Sequence, residues 1–389
     1  MSEWKKVKLG EMLHVRKGDY ITKKEAKEGI YPVILGGKEP AYYIDKYNHT
    51  GKAIVISRSG ASAGYVSFWN EPIFVTDGFL IEPQGDVIFE FLYYVLKCKQ
   101  RELHNTQKGA AIPHVTPALI GDIEGLLPDV HTQQLIVDIL SRYDSLIENY
   151  QKQIKLLEEA AQRLYKEWFV ELRFPGHENT KMVDGLPEGW ERKKLIEFGC
   201  SLESGARPKG GVDSNLKDGV PSVGAENVIG LGKYNYSSEK LVTNQFYSQM
   251  RKGKIKDRDI LIYKDGAYIG RTSLFQDGFP HKELAVNEHV FLLHTLNENY
   301  QYYVFFTLYQ KQYFEKMQKL NKNAAQPGLN QKALLDLVML CPTENIVLSF
   351  NRAIELLMKA LFSKANQIRL LTEARDRLLP RLMGGGKTL

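Results

Sequence analysis

The sequence IKLLEEAAQRL occupies residues 154–164, and IRLLTEARDRL occupies residues 368–378. The two stretches agree at seven of eleven positions, and the second follows the first at an offset of 214 residues. The first lies in a segment from Thr132 to Leu172 that contains neither glycine nor proline. A duplicated sequence of this composition predicts two long helices that are copies of each other.

Apolar residues follow each other at alternating spacings of four and three in both helices, as in the seam of a coiled coil. The first seam consists of Tyr143, Ile147, Tyr150, Ile154, Leu157, Ala161, Leu164 and Trp168, and the second consists of Leu357, Leu361, Lys364, Ile368, Leu371, Arg375, Leu378 and Leu382. Lys364 and Arg375 are basic where the first seam has Tyr150 and Ala161. We expect Pro380 to end or kink the second helix near its Leu379.

A helix of about 40 residues is roughly 60 Å long, which exceeds what a small domain needs for its own packing. Two such helices with matching seams are therefore expected to pack on each other. The pairing is expected to be antiparallel, because a two-fold axis relating the two halves turns one helix against the other. The alternative is that each helix covers only its own domain.

The globular parts of the chain are repeated as well. GKAIVISRSGASAGYVSFW at residues 51–69 matches DRDILIYKDGAYIGRTSLF at residues 257–275, at an offset of 206 residues. Each copy is typical of a buried strand, a glycine-containing turn and a second strand.

The offset between the copies changes along the globular parts only. Trp4 and Leu9 match Trp190 and Leu195 at an offset of 186 residues, whereas Pro128 matches Pro342 at 214. Insertions of 20 and 8 residues in the second copy account for this drift, and the offset then stays constant through the helices. Since loops tolerate such insertions, the globular parts are expected to differ in shape while the helices keep a fixed length.

Composition restricts the class of protein. The net charge of +6 and a pI near 8.9 are compatible with a polyanionic partner. Cys98, Cys200 and Cys341 show neither disulfide-type nor metal-type spacing, which favours a reducing compartment, and we expect the cytoplasm. We expect neither a secretory leader nor a membrane-spanning stretch.

Catalytic motifs are missing from the sequence. No two prolines are adjacent, which excludes the Asn/Asp-Pro-Pro-aromatic signature of amino-methyltransferases. Gly386-Lys387-Thr388 resembles a phosphate loop, but Arg381 occupies the position of the required earlier glycine. His289 and His294 are expected to be core or surface side chains, not metal ligands. We therefore expect no catalysis, no bound cofactor and no metal site in this chain.

Four segments together resemble the specificity subunits of type I restriction-modification systems. They are the apolar-proline step Leu127-Pro128, the helix start Thr132-Gln133-Gln134-Leu135-Ile136, the stretch LLEEAAQRLYKEWF and the LPEGW that begins at Leu186. The resemblance covers nearly the whole chain. In the second copy Thr343-Glu344-Asn345 stands in place of the glutamine pair, so a contact made there by one half is expected to be missing in the other.

The resemblance implies a monomer with two target-recognition domains, each of which reads a half-site of a few base pairs in double-stranded DNA. It implies two methyltransferase subunits that use S-adenosylmethionine on adenine N6, and restriction subunits that use ATP and Mg²⁺ for translocation and cleavage. The outward faces of both helices, with Trp168 and Phe169 among the candidates, are the expected surface for the methyltransferase. The alternative is that these two aromatic residues close the helix seam.

The expected architecture is an α+β fold of two tandem α/β target-recognition domains, each followed by a long helix, with the helices forming an antiparallel coiled coil of pseudo-two-fold symmetry. The expected boundaries are residues 1–130 for the first domain, 131–172 for the first helix, 173–186 for a linker, 187–342 for the second domain, 343–383 for the second helix and 384–389 for a flexible tail.

Candidate DNA contacts come from glycine turns and basic loops, because arginine, lysine, asparagine and glutamine read base edges and glycine lets a backbone approach DNA. The paired turns supply Arg58, Ser59 and Tyr65 in the first copy and Lys264, Asp265, Tyr268 and Arg271 in the second; the loops before the helices supply Lys108, Lys322 and Gln326; Lys17, Lys23 and Lys24 are candidate phosphate contacts. The alternatives are plain hairpin turns retained for folding and a solvated charged face.

Two other classes of function are alternatives. A duplicated coiled-coil scaffold or adaptor explains the repeat and the seams without DNA, and it predicts binding that is insensitive to salt, whereas phosphate contacts make binding steeply salt-dependent. An autonomous methyltransferase or nuclease requires a catalytic motif that the sequence lacks.

Overall fold

The chain has an α+β fold in a computed structural model that describes residues 4–22, 24–106, 113–213, 215–266, 268–321 and 328–384. It divides into two compact units. The first unit comprises residues 1–146 and 371–389, and the second comprises residues 147–370. The expected α+β class is confirmed.

The described residues of the first unit form nine strands and four short helices, and a long helix begins in this unit. The strands are β1 Lys5–Lys8, β2 Leu13–Lys17, β3 Glu28–Ile34, β4 Tyr42–Ile44, β5 Lys52–Ser57, β6 Val66–Asn70, β7 Phe74–Val75, β8 Gly78–Pro83 and β9 Glu124–Leu127. The helices are α1 Leu9–Met12, α2 Phe89–Cys98, α3 Gln100–Asn105, α4 Pro117–Gly121 and the long α5 Val130–Phe169.

Three sheets organise this unit: β2-β8-β5-β6, β4-β3-β7 and the pair β1-β9. Strand β5 is apolar along its length because both of its faces are covered. Ile54 and Ile56 pack into the main core of the unit, whereas Ala53 and Val55 pack into a smaller core on the other face. The strand–turn–strand predicted for residues 51–69 is formed by β5 and β6, which pair in antiparallel fashion.

In the part of the second unit that the structure describes there are eleven strands and four helices, and the second long helix begins in this unit. The strands are β10 Met182–Val183, β11 Leu186–Pro187, β12 Glu191–Lys194, β13 Cys200–Ser204, β14 Val220–Val223, β15 Leu241–Val242, β16 Ile260–Tyr263, β17 Thr272–Leu274, β18 Ala285–Val286, β19 Val290–Thr295 and β20 Val338–Cys341. The helices are α6 Asn244–Gln249, α7 Gln301–Leu308, α8 Lys311–Asn321, α9 Gln331–Leu335 and the long α10 Glu344–Met383.

The sheets of the second unit repeat those of the first in strand order. They are β13-β19-β16-β17, β15-β14-β18 and β12-β20, with β10-β11 as an additional pair. In both three-stranded sheets one neighbouring pair is parallel, β3 with β7 and β14 with β18. Short 3-10 turns lie at His177–Asn179, Leu195–Phe198, Ala225–Asn227, Tyr236–Ser238 and Glu298–Tyr300.

The start of α5 is fixed by polar contacts. The Asp129 carboxylate caps the helix by accepting hydrogen bonds from the Thr132 backbone and hydroxyl, at 2.8 and 3.1 Å. The buried amide of Gln133 accepts from Ile88 N and donates to the carbonyl oxygens of Asp86 and Pro128. These bonds tie the helix to the loop before α2 and to the end of β9.

The start of α10 uses different contacts. The residue 214 positions after Gln133 is Val347, which is fully buried. The Glu344 carboxylate instead accepts hydrogen bonds from Asn297 and Asn299, both at 3.0 Å. The glutamine contact is therefore absent from the second copy, as the sequence predicted.

Helix α10 continues through Pro380 to Met383, which is the boundary expected for the second helix. Of the two effects expected of Pro380, an end near Leu379 does not occur. The proline lies within the last turn, where the loss of one backbone hydrogen bond costs little because few bonds remain beyond it. Leu382 and Met383 are buried in the core of the first unit, and this packing stabilises the turn after the proline.

Contacts between α5 and α10 occur inside each unit. In the first, the Arg375 guanidinium lies 2.7 Å from the Asp144 carboxylate. In the second, the Phe350 ring packs on Tyr165, and the Lys364 ammonium lies 4.5 Å from the centre of the Tyr150 ring. Within the second unit, residues later in α10 therefore contact residues earlier in α5.

Candidate DNA interface

The turn Arg58-Ser59-Gly60 follows β5 and is held by backbone hydrogen bonds. Arg58 N donates to the carbonyl of Asp77 at 3.1 Å, and the Arg58 carbonyl accepts from Val115 N at 2.9 Å. Gly60, with a φ of 83°, donates to the Pro113 carbonyl at 3.0 Å. The turn is thus fixed from two sides, and only its side chains are free to select a ligand.

Asp77 organises the polar side chains of this turn. Its carboxylate lies 3.8 Å from the Arg58 guanidinium, and it accepts a hydrogen bond from the Ser59 hydroxyl. Arg58 therefore keeps an exposed guanidinium that is oriented by a carboxylate. Sequence reasoning missed Asp77, although its position just before Gly78 marked the turn between β7 and β8.

The backbone of Gly36 packs closely against the backbone of the turn. A Cβ atom on Gly36 would lie 2.1 Å from the Ser59 carbonyl oxygen, so only glycine permits this approach of the two backbones. The neighbouring Gly37 accepts a hydrogen bond from the Ser57 hydroxyl at 3.2 Å and has room for a Cβ atom. The Gly36-Gly37 pair was visible in the sequence but had no assigned role there.

Tyr65 is half-buried between two lysines. The Lys38 and Lys97 ammonium groups lie 5.6 and 5.2 Å from the centre of its ring. Burial, followed by the charge of Glu39, raises the pKa of the Tyr65 hydroxyl, whereas burial and then the charge of Arg375 lower the pKa of Lys97. Tyr65 thus gathers positive charge beside the turn, a feature that suits a phosphate or a base edge.

The second copy contains the same backbone frame. Tyr263 N donates to the Arg271 carbonyl and Gly270 N donates to the Tyr263 carbonyl, just as Ser57 N donates to Tyr65 and Gly64 N to Ser57. The Lys264 amide donates to the His289 carbonyl at 3.1 Å, and the Lys264 carbonyl accepts from Leu329 N at 2.6 Å.

The side chains on this second frame are different. The Asp265 carboxylate lies 2.8 Å from His289 Nδ1, and His289 Nε2 lies 3.2 Å from the Arg207 guanidinium. Arg207 also pairs with Glu288 at 2.5 Å. His289 is a surface side chain, as expected, but its link between Asp265 and Arg207 could not be read from the sequence because the three residues are far apart in it.

Arg207 also lines a cavity of the second unit that is about 530 Å³ in volume. The polar side chains around it include Asp213, Tyr236, Lys240 and Asn287. Part of the wall comes from Arg207, Val212, Asp213 and Leu216, which lie in the region where the second copy carries its 20-residue insertion. The divergence between copies is therefore concentrated beside the predicted contact residues.

Tyr268 and Arg271 form an exposed planar pair. The Arg271 guanidinium carbon lies 4.0 Å from the centre of the Tyr268 ring, and Tyr268 is 55% exposed. Such a pair presents a flat face and several N–H donors, which are groups that recognise bases.

The remaining predicted DNA contacts are the lysines near the start of the chain and the loops before the long helices. Lys17, at the end of β2, and Lys24 are both exposed. Lys23, Lys108, Lys322 and Gln326 lie outside the described residues.

The described part of the chain contains no group of three or more histidine, cysteine, aspartate or glutamate side chains arranged to hold a metal ion. Among the same residues, no helix has the length and apolar character needed to cross a bilayer.

Comparison with known proteins gives similarity to type I restriction-modification specificity subunits, both by a family model and by individual relatives. The family model of the type I restriction modification DNA specificity domain matches residues 1–159. The MjaIX specificity subunit of Methanocaldococcus jannaschii is 28% identical over 86% of this chain and 77% of its own length. The chain is similar to the specificity subunits of type I restriction-modification systems. The resemblance stated from the sequence is confirmed, and the scaffold alternative receives no support.

Two further comparisons agree with this similarity. The MjaVIII specificity subunit of the same organism is 25% identical over 87% of the chain and 82% of its own length. The crystal structure of a type I restriction-modification S subunit from M. genitalium aligns with a TM-score of 0.60 at 17% identity, covering 98% of this chain and 96% of that one. The chain therefore shares its fold with that S subunit along nearly its whole length.

Proposed function

We propose that this chain is the DNA-reading subunit of a type I restriction-modification complex, that it recognises a target of two half-sites separated by a non-specific spacer, and that it catalyses nothing itself. The observation that carries the proposal is the match of residues 1–159 to a DNA specificity domain, together with specificity subunits that align over most of the chain.

Each unit supplies one turn for one half-site in this proposal. Arg58 reads base edges in the first half-site, and Lys264 with Arg271 reads them in the second, since these side chains carry the donors that discriminate bases. The common backbone frame holds both turns in the same way, and the side chains of Asp77 and His289 orient them differently. Two different half-sites follow from this combination.

The long helices set the spacer. Each is 40 residues long, which corresponds to roughly 60 Å. We propose that they pair as an antiparallel coiled coil that holds two tandem target-recognition domains in pseudo-two-fold symmetry. The Asp144–Arg375 contact in the first unit and the Tyr150–Lys364 contact in the second support this pairing.

The methyltransferase subunits dock on the outer faces of the helices in this proposal. Leu135, Ile139 and Leu146 form an exposed apolar row on α5 in the first unit, and Leu356 is 72% exposed on α10 in the second. Phe169, which we had expected to join this surface, is instead buried against Phe350 in the core of the second unit.

The chemistry belongs to these partners. The methyltransferase subunits bind S-adenosylmethionine and hold the flipped adenine, and the restriction subunits bind ATP and Mg²⁺. The complex acts on double-stranded DNA in the cytoplasm.

Methylation mapping tests the proposal. The chain is expressed together with its cognate methyltransferase, and methylated adenines are located by sequencing the host DNA. We expect two short fixed sequences separated by a spacer of constant length and arbitrary sequence. A continuous recognition sequence, or methylation that does not change when the chain is omitted, contradicts the proposal.

A further inference from the structure

Asp144 and Arg375 form a charged pair between α5 and α10 in the first unit. Arg375 Nη1 lies 2.7 Å from Asp144 Oδ1, and the Tyr94 hydroxyl donates to Asp144 Oδ2 at 2.6 Å. The two charged side chains are only 31% and 23% exposed. Loss of Arg375 would leave the Asp144 carboxylate without its cationic partner, whereas loss of Asp144 would leave the Arg375 guanidinium with its neighbour Asp376 alone, at 2.8 Å.

The equivalent pair in the second unit is apolar. At the repeat offset of 214 residues, Asp144 corresponds to Met358 and Arg375 corresponds to Ala161. Met358 and Ala161 are both fully buried in the same core. The two units therefore use different chemistry at the same position of the helix pair.

A second asymmetry lies at Tyr150 and Lys364. These residues are also 214 positions apart, so each is the repeat equivalent of the other, and they contact each other through the lysine ammonium and the tyrosine ring. In a pair of identical helices, this contact would become tyrosine against tyrosine or lysine against lysine.

We infer that these two contacts select the pairing of unlike halves and disfavour the pairing of like halves from two copies of the chain. If α5 paired with α5 of a second copy, Asp144 would face Ala161 and lose its guanidinium. If α10 paired with α10, Arg375 would face Met358 and two Lys364 ammonium groups would meet. Polar groups in a coiled-coil seam are known to fix partner and register in this way. The inference rests on the antiparallel helix pairing proposed above and goes beyond it.

Self-association of the full-length chain tests the inference. The variant Asp144→Met/Lys364→Tyr/Arg375→Ala makes both seams alike at the three positions. Tagged and untagged copies are unfolded together, refolded over a range of concentrations, and weighed by native mass spectrometry. We expect the wild-type chain to refold as a monomer and the triple variant to form dimers with an association constant at least about tenfold higher.

The charge-reversed variant Asp144→Arg/Arg375→Asp is the matched control. It still pairs only with the unlike half, so it is expected to stay monomeric. A triple variant that dimerises no more than the wild type overturns the inference. Thermal unfolding of Asp144→Ala, Arg375→Ala and the double alanine variant separates this failure from a failure of the proposed helix pairing, because strictly additive losses would show that the two side chains do not interact.

Discussion

At the scale of single residues, the two turns have the same backbone hydrogen bonds but different side chains. Ser57 and Gly64 make the same backbone bonds as Tyr263 and Gly270, so the position of each turn is set by bonds that no side chain can alter. Exchange of the side chains can then change the DNA sequence that a turn recognises without moving the turn. Base selectivity is therefore expected to be separable, turn by turn, from folding.

Arg58→Ala is expected to relax selectivity in the first half-site only. A good contact between a side chain and a base discriminates by about 1–3 kcal/mol, so loss of the guanidinium should permit related sequences at one or two positions. Methylation mapping in cells measures the effect. Arg271→Ala is the matched control, because it should relax the other half-site; identical changes from both variants would refute this assignment of turns to half-sites.

Gly36→Ala is expected to weaken recognition of the first half-site at least about tenfold, because a Cβ atom there would force the Ser59 carbonyl to move and displace the turn. Gly37→Ala, one residue further on, has its nearest neighbour 3.5 Å away and should leave recognition intact. Binding of the assembled complex to target DNA is measured by titration. Equal losses from the two alanines would show that the close approach does not support the turn.

At the scale of elements, the sequence predicted the long helices well and their local exceptions poorly. Heptad spacing and the absence of glycine determine where a helix of this length forms, and α5 and α10 were expected within a few residues of their observed ends. The helix continues past Pro380 because burial of Leu382 and Met383 outweighs the local effect of the proline. Such packing depends on residues far away in the sequence.

Deleting one heptad from each long helix is expected to shorten the spacer by about three base pairs, since seven residues span about 10.5 Å of helix and base pairs are about 3.4 Å apart. The mapped methylation motif measures the change. Deletion from one helix alone should abolish modification because the seams lose register. A spacer of unchanged length after the double deletion would sink the idea that the helices measure it.

Phe350→Ala is expected to destabilise the second unit by about 3–5 kcal/mol, because a fully buried aromatic side chain is replaced by a cavity. Its ring packs against Tyr165, Phe169 and Phe306. Chemical denaturation of the purified chain gives the change in unfolding free energy. Leu356→Ala, a truncation on the exposed side of the same helix, is the control and should change it by less than about 0.5 kcal/mol.

At the scale of the whole molecule, family and function were accessible from the sequence, whereas the site was accessible only in outline. The repeat pointed to both turns, but Asp77, Gly36 and His289 act through neighbours that lie 18 to 25 residues or more away in the sequence. The identity of a side chain alone does not show that a distant carboxylate orients it, as Asp77 orients Arg58. The bases that are read cannot be derived without DNA in place.

Leu135→Asp together with Ile139→Asp is expected to abolish copurification of the methyltransferase while leaving the thermal stability of the chain unchanged. Both side chains are exposed on α5 in the first unit, so charges there should harm a partner surface and not the core. Met182→Asp, on an exposed strand of the linker, is the control and should retain the partner. Retention of the methyltransferase by the α5 variant would show that the docking surface lies elsewhere.

The first unit is built from two stretches of chain that are synthesised far apart in time. Residues 1–146 leave the ribosome long before residues 371–384, yet Leu382 and Met383 complete the same core. Until that last segment arrives, the nascent domain exposes the apolar surface that it will cover, and such surfaces recruit chaperones or aggregate. Premature stop codons late in the gene should therefore damage the first domain to be translated before they damage the second.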